Sequence, residues 1–374
     1  MSTDIYLPST PIISSFFHVT TSEIQLSVSL NLLGIALSSL IYGPVSDYYG
    51  RRKIILSGLF IFFLSSIMCA LASSFSLLLF WRLVQGFGGG VGVAVGFGVI
   101  KDLYSDTECA QIFSQITMFI EITLAVSPIL GGWIASYFGW QYIFFLLSVL
   151  SWSLILLYYY NFKETLKQKP VVIRTITILI REMVILLKNK QFICYTLIQA
   201  CTTSALWVNV TNIPFIFIKN MNVNVKYYGL YMLITSLSYA LGAVINQWLI
   251  KKDANIVYLL KIGIIINISS GLLLITSDKL MHLTPLSVQL IRSVGAIGIA
   301  FILSNAFTLA LKSFPNAFGT ASACISFLQI LFTSIFISCT TFFICHYSIF
   351  SVALTTLIVS LISLFLTYLP KYIE

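Results

Sequence analysis

Long stretches of this chain contain no Asp, Glu, Lys or Arg: residues 24–46, 54–81, 83–100, 122–162, 191–218, 227–250 and 313–370. A helix rises about 1.5 Å per residue, so about 20 apolar residues cross a hydrocarbon core of ~30 Å. Runs 122–162 and 313–370 are each long enough for two crossings. The first breaks at Ser136–Trp140 and the second near His346. A helix satisfies its own backbone hydrogen bonds in lipid, so the runs predict an all-α polytopic membrane protein. Composition agrees: 9% of the 374 residues are charged and 58% are hydrophobic. A soluble domain carries about 25% charged residues, and this chain could not cover such a surface.

Spans are expected at 24–43, 54–73, 76–99, 109–134, 140–161, 191–217, 227–250, 257–276, 284–311, 316–345 and 347–369. The connections on one side then hold most of the bases, among them Arg51, Arg52, Lys53, Lys101, Lys163, Arg174, Lys251, Lys252 and Lys312. The opposite side holds only Lys219, Lys226 and Lys279. That asymmetry predicts a cytoplasmic face for the basic side, with the central linker and the C-terminus on it. It also explains the formal charge of +9 without nucleic acid: the bases face lipid head groups.

Residues 162–190 hold seven bases and two acids and divide the chain. An N-terminal helix bundle, 1–161, and a C-terminal bundle, 191–374, are expected on either side. Within the linker, Val171–Leu187 is apolar enough to suggest a span, but it contains Arg174, Arg181 and Glu182. Each would be costly at mid-bilayer, so an interfacial amphipathic helix is predicted instead. Five spans plus a fragment precede the linker and six follow it, consistent with two six-helix halves. The fragment before His18 carries Pro8 and Pro11. As a helix it would reach roughly 20 Å, so a shortened first helix, with an upstream part missing, is expected.

Three stretches place charge or bends inside this frame. The first is Gly43–Lys53, GPVSDYYGRRK, between spans two and three. A tight turn accounts for Gly43 and Gly50, and orientation accounts for the bases. Neither accounts for Asp47, which could pair with Arg51 or meet a helix N-terminus. The second is Leu79–Gly90, where Arg82 lies inside an otherwise uncharged span. Such an arginine is a functional candidate by default; the bland alternative is snorkelling to the surface. Gly88, Gly92 and Gly96 are expected to form one small-residue packing face. The third is Glu121–Gly132, where Pro128, Gly131 and Gly132 predict a bend with close packing. Glu121 falls near mid-span, and a carboxylate there can alternate between protonated and charged forms. An Arg82–Glu121 pair is the sharper expectation; a structurally hydrogen-bonded Glu121 is the bland one.

These motifs resemble the major facilitator superfamily. Gly43, Asp47, Gly50, Arg51 and Arg52 match every fixed position of that family's signature loop. The resemblance implies a cytoplasmic clamp between two pseudo-symmetric six-helix bundles, with Asp102 as an acidic partner at the end of the fourth helix. Arg82-x-x-Gln-Gly resembles the fourth-helix motif tied to proton coupling in drug antiporters. Ser127, Pro128, Gly131 and Gly132 resemble their fifth-helix motif, with Ser127 in place of its first glycine. Asp4-Ile-Tyr-Leu-Pro-Ser-Thr-Pro11 is similar to the first helix of the bicyclomycin-resistance (Bcr/CflA) branch, which makes Asp4 a second proton-carrier candidate.

The resemblance implies an exporter of drugs or other amphipathic small molecules, driven by protons. It would sit as a multi-pass protein, most simply a monomer, in a bacterial inner membrane. No cofactor is implied beyond the proton gradient. Cavity candidates are Asn31, Gln115, Trp207, Asn209, Asn212, Asn305 and Gln329, although a polar residue in a span more often joins two helices. Import or facilitated passage of a metabolite, and an inactive truncated transporter, remain alternatives. An embedded enzyme would need a catalytic cluster that the sequence does not display. The histidines fall at helix ends and the cysteines are scattered, so no metal site is expected.

Overall fold

The computed structural model describes residues 2–104, 106–166, 176–280, 283–314, 318–343 and 349–369. The secondary structure of these residues is helical throughout. A 3-10 turn, Leu7–Ser9, runs into α1, Thr10–Phe16. Pro8 and Pro11 donate no backbone hydrogen bond, and the element remains two short pieces rather than a full span. The N-terminal half continues with α2 (Thr21–Tyr49), α3 (Arg51–Ala70), α4 (Phe75–Gly89), α5 (Val91–Leu103), α6 (Asp106–Tyr137) and α7 (Gln141–Asn161). Helix α8, Ile176–Lys188, lies in the linker. The C-terminal half holds α9 (Lys190–Pro214), α10 (Val225–Lys251), α11 (Ile256–Leu280), α12 (Pro285–Lys312), α13 (Phe318–Phe343) and α14 (Ile349–Leu366). Among the described residues, ten helices are long and apolar enough to cross a membrane, counting α4 and α5 as one.

Local chemistry sets the helix ends. Thr20 and Glu23 form a reciprocal capping box: the Glu23 N–H donates to Thr20 Oγ1 at 3.2 Å and the Thr20 N–H donates to Glu23 Oε2 at 2.7 Å. Thr284 and Ser287 start α12 in the same way, with Pro285 in the first turn. At the other rim α2 runs to Tyr49, six residues past the predicted 43. Gly43 therefore lies inside the helix with open space around it and is no turn residue. The reversal falls on Gly50 alone, at φ 102° and ψ 144°, a region essentially closed to other residues. The break predicted at Ser136–Trp140 coincides with Gly139, at φ 103° between α6 and α7. The second predicted break, near His346, lies outside the described residues, between the ends of α13 and α14.

The two halves meet along two helix pairs, α2 with α13 and α6 with α10. Both pairs are bonded or tightly packed in their segments far from the basic rim. On the same side α2 also reaches α9, where Gln25 Nε2 donates to Asn212 Oδ1 at 2.7 Å. Ser29 and Ser334 each donate to the other's carbonyl, at 3.1 and 2.8 Å. On α6 and α10, a Cβ on Gly132 would sit 2.5 Å from the Val225 carbonyl oxygen, and Gly229 packs on the backbone of Ile129.

Candidate functional site

Arg82 is completely buried inside the N-terminal half. Two glycines put it there. Gly34 of α2 abuts the Leu83 carbonyl, and Gly86 of α4 abuts the Asn31 carbonyl, so the two backbones touch. That crossing brings Arg82 Nε to 3.4 Å from the Ser27 carbonyl, and Asn31 Nδ2 donates to the Arg82 carbonyl at 3.0 Å. Arg82 Nη1 donates to Gln85 Oε1 at 2.6 Å, and Gln85 in turn donates to Ser66 Oγ at 2.8 Å. The guanidinium lies over the Tyr6 ring at 4.5 Å and the Phe144 ring at 5.9 Å. Its Nη2 has no hydrogen-bond partner among the described residues. A cation–π stack on two rings, when desolvated, is worth about 2 kcal/mol or more, which offsets part of the burial cost. Snorkelling is excluded by this burial.

The amino-terminal segment belongs to the same cluster. Tyr6 is fully buried and its Oη lies 2.9 Å from Ser27 Oγ. Thr3 Oγ1 donates to Asn31 Oδ1 at 3.0 Å. Asp4, between these two, is 8% exposed. Residues on both sides of Asp4 therefore touch the neighbourhood of Arg82. Glu121 and Gln115 lie on α6, but their side chains are outside the described residues. The expected Arg82–Glu121 pair falls with them, and the partners the structure gives Arg82 are Tyr6, Phe144, Gln85 and Ser27.

At the basic rim, Arg51 gathers the signature loop. It pairs with Asp47 at 2.5 Å and, through Nε, with Asp102 at 3.1 Å. Its Nη1 also donates to Ser46 Oγ at 2.6 Å. Gly98 of α5 gives the guanidinium its berth: a Cβ there would lie 2.6 Å from Arg51 Cζ. Asp47 thus takes the ion pair, and the N-terminus of α3 has another cap. Glu164 accepts from the Arg51 N–H at 2.9 Å and the Arg52 N–H at 3.2 Å. Arg52 Nη2 donates to the Tyr159 carbonyl at 2.5 Å. The sequence reading missed Glu164; its signal was an acid in a linker otherwise dominated by bases.

The fifth-helix motif faces two ways. Gly131 abuts the Ile5 carbonyl in its own half, whereas Gly132 abuts Val225 in the other half. Pro128 stays inside a continuous α6, and Ser127 Oγ donates to the Thr123 carbonyl at 2.6 Å. Of the expected Gly88–Gly92–Gly96 face, Gly88 is tight against Phe62, whereas Gly92 and Gly96 meet nothing within 4 Å among the described residues. Gly90, between α4 and α5, keeps helical dihedrals, and the Gly90 and Ala94 N–H groups donate to the Gly86 and Gly90 carbonyls at 3.0 Å, so the helix continues through it.

The structure places the remaining polar candidates in contacts between helices. Asn209 donates to Thr356 Oγ1 at 2.9 Å, and Asn305, with no exposure, donates to Asn246 Oδ1 at 2.8 Å. Gln329 donates to Thr203 Oγ1 at 2.8 Å, and Gln199 donates to Gln329 at 3.2 Å. Asn31 and Asn212 hold the contacts already given. Trp207 is half-buried against the core of the N-terminal half.

Two helical halves joined by a basic linker, with a buried guanidinium inside a span, define a polytopic membrane transporter. The Major Facilitator Superfamily model matches residues 1–337. The chain belongs to that family. It is 30% identical over 341 residues to an uncharacterised MFS-type transporter, YdgK, of Bacillus subtilis (strain 168), covering 90% of this chain and 83% of that one. It is 27% identical over 323 residues to a bicyclomycin resistance protein homolog of Haemophilus influenzae, covering 86% and 80%. Among solved structures, a D-xylose-proton symporter superposes with TM-score 0.77 at 15% identity, covering 97% of this chain and 93% of that one. The last likeness concerns the fold alone.

Proposed function

We propose that this transporter exports drugs or other amphipathic small molecules in exchange for protons, across a bacterial inner membrane, with its basic rim cytoplasmic. The carrying observation is Arg82: a cation with no exposure, set in a membrane helix, with one nitrogen that has no hydrogen-bond partner among the described residues. A membrane protein keeps such a charge at a cost, and the cost is reasonable when the charge works in coupling. The bicyclomycin resistance homolog among its relatives supports a drug as cargo.

In this reading Asp4 and Glu121 carry protons, and Arg82 is the fixed cation that their charged forms answer to. Protonation and substrate binding bias the two access states in opposite directions. Each proton entering down ~100 mV supplies about 2.3 kcal/mol. The proton gradient is the only energy source, no cofactor takes part, and the working unit is a monomer embedded in lipid. The partners are the substrate, protons and the bilayer, and nucleic acid is not among them.

Inside-out vesicles loaded with the protein test this. They are expected to accumulate a fluorescent lipophilic cation when the lumen is acid, and Glu121→Gln is expected to change the pH dependence. Accumulation untouched by collapse of the pH gradient would end the antiport reading. Ser127, standing where the antiporter motif has glycine, favours one second reading: import or facilitated passage of a metabolite, which the same vesicles would reveal as movement in the opposite direction.

A further inference from the structure

Lys226 stands where two rules disfavour a lysine. It is in the first turn of α10, where the helix dipole opposes positive charge. It is also one of only three bases placed on the rim opposite the basic loops. Neither helix stability nor topology accounts for it.

Its surroundings do. The ammonium reaches across the seam between the halves and donates to Tyr137 Oη of α6 at 2.7 Å. The same nitrogen lies 5.1 Å from the Tyr137 ring, 5.8 Å from the Trp133 ring and 5.7 Å from the Tyr227 ring. All three lie within the ~6 Å reach of a cation–π contact. Trp133 and Tyr137 are four residues apart, so they share one face of α6. The backbone of Lys226 is tied as well, its N–H donating to the capping Asn224 side chain at 3.0 Å. Next to it in the chain, Val225 packs its carbonyl against Gly132 across the same seam. Among the described residues, no ion pair involves Lys226.

We propose that Lys226 is the latch of this seam: its ammonium, clasped by Trp133 and Tyr137 of the opposite half, holds the rim shut and must be released when that rim opens. An aromatic clasp suits a joint that has to part in every cycle. Trp133 and Tyr137 are each more than half exposed, so the contact is weak enough to break in every cycle, and an ammonium leaving an aromatic face goes directly to water.

The proposal concerns a conformational equilibrium and needs no substrate, so its failure is separable from failure of the antiport reading. Spin labels are placed at Phe138→Cys of the N-terminal half and Leu230→Cys of the C-terminal half, in a background free of other cysteines. Both native side chains are exposed. Distances are measured on the full chain in nanodiscs. Lys226→Met is expected to raise the ratio of open to shut rim about two- to fivefold, the scale of one exposed cation–π contact. Trp133→Ala, which leaves the charge in place, is expected to move it the same way, and Lys226→Arg to restore the wild-type distribution. An unchanged distribution in both Lys226→Met and Trp133→Ala, with monodisperse protein, would overturn the latch and leave these residues as interfacial anchors.

Discussion

Arg82 heads the largest side chains of the described residues that have no exposure at all. Its role depends on shape as well as charge. The planar fork bonds Gln85 and the Ser27 carbonyl while the flat face lies on Tyr6. Lysine keeps the charge but offers a compact ammonium that can neither fork nor stack in that way. Arg82→Lys is therefore expected to lower the initial rate of substrate efflux at least tenfold while membrane insertion stays near wild type, as rate assays on normalised vesicles would show; normal efflux from this variant would remove Arg82 from the mechanism. Of this site the sequence displays Arg82, Asp4 and Asn31. Tyr6 is hidden because a tyrosine near prolines in an apolar segment has no periodic signature, and only the crossing of α2 with α4 places Arg82 against Ser27 and Asn31.

At the scale of elements, glycines sort by what lies opposite them. Gly86 meets the Asn31 backbone, whereas Gly92, six residues further on, meets nothing within 4 Å among the described residues. Gly86→Ala is expected to force α2 and α4 apart and cost about 1–3 kcal/mol, as overpacking does. Gly92→Ala is expected to be neutral or to gain up to ~1 kcal/mol from helix propensity. Thermal inactivation of the two variants side by side in detergent reads the difference, and equal midpoints would contradict the crossing geometry. In sequence the glycines of 86–98 look alike, since spacing does not reveal which backbone lies opposite each. The break between α6 and α7 was easier to find: Gly139 acts locally, so it acts in sequence as it does in space.

For the whole molecule, the decisive contacts span the halves. Gln25 and Asn212 are 187 positions apart yet bonded at 2.7 Å, and Ser29 and Ser334 are joined twice. All of them lie on the side away from the basic loops, so the structure is shut there. Gln25→Cys with Asn212→Cys is expected to cross-link with a short bifunctional thiol reagent and to stop transport, with reductant restoring it when the reagent is cleavable. Full transport after complete cross-linking would mean that this rim never has to part. Interfaces of this kind, polar and closely packed rather than greasy, are what helices in lipid use to associate reversibly, because lipid tails compete equally well for apolar surface.

The amino-acid sequence by itself determined that the chain spans a membrane many times, which rim is basic, where the linker falls and which loop carries the family signature. Each of these follows from transfer energies and local turn chemistry, which depend on neighbours along the chain. Only the tertiary structure decided that Asp47 pairs with Arg51 while Glu164 caps α3, that Arg82 rests on Tyr6, and that the asparagines of α9 and α12 join helices. Those choices are made by side chains from distant segments competing for the same few buried donors and acceptors, and sequence spacing carries no record of who wins.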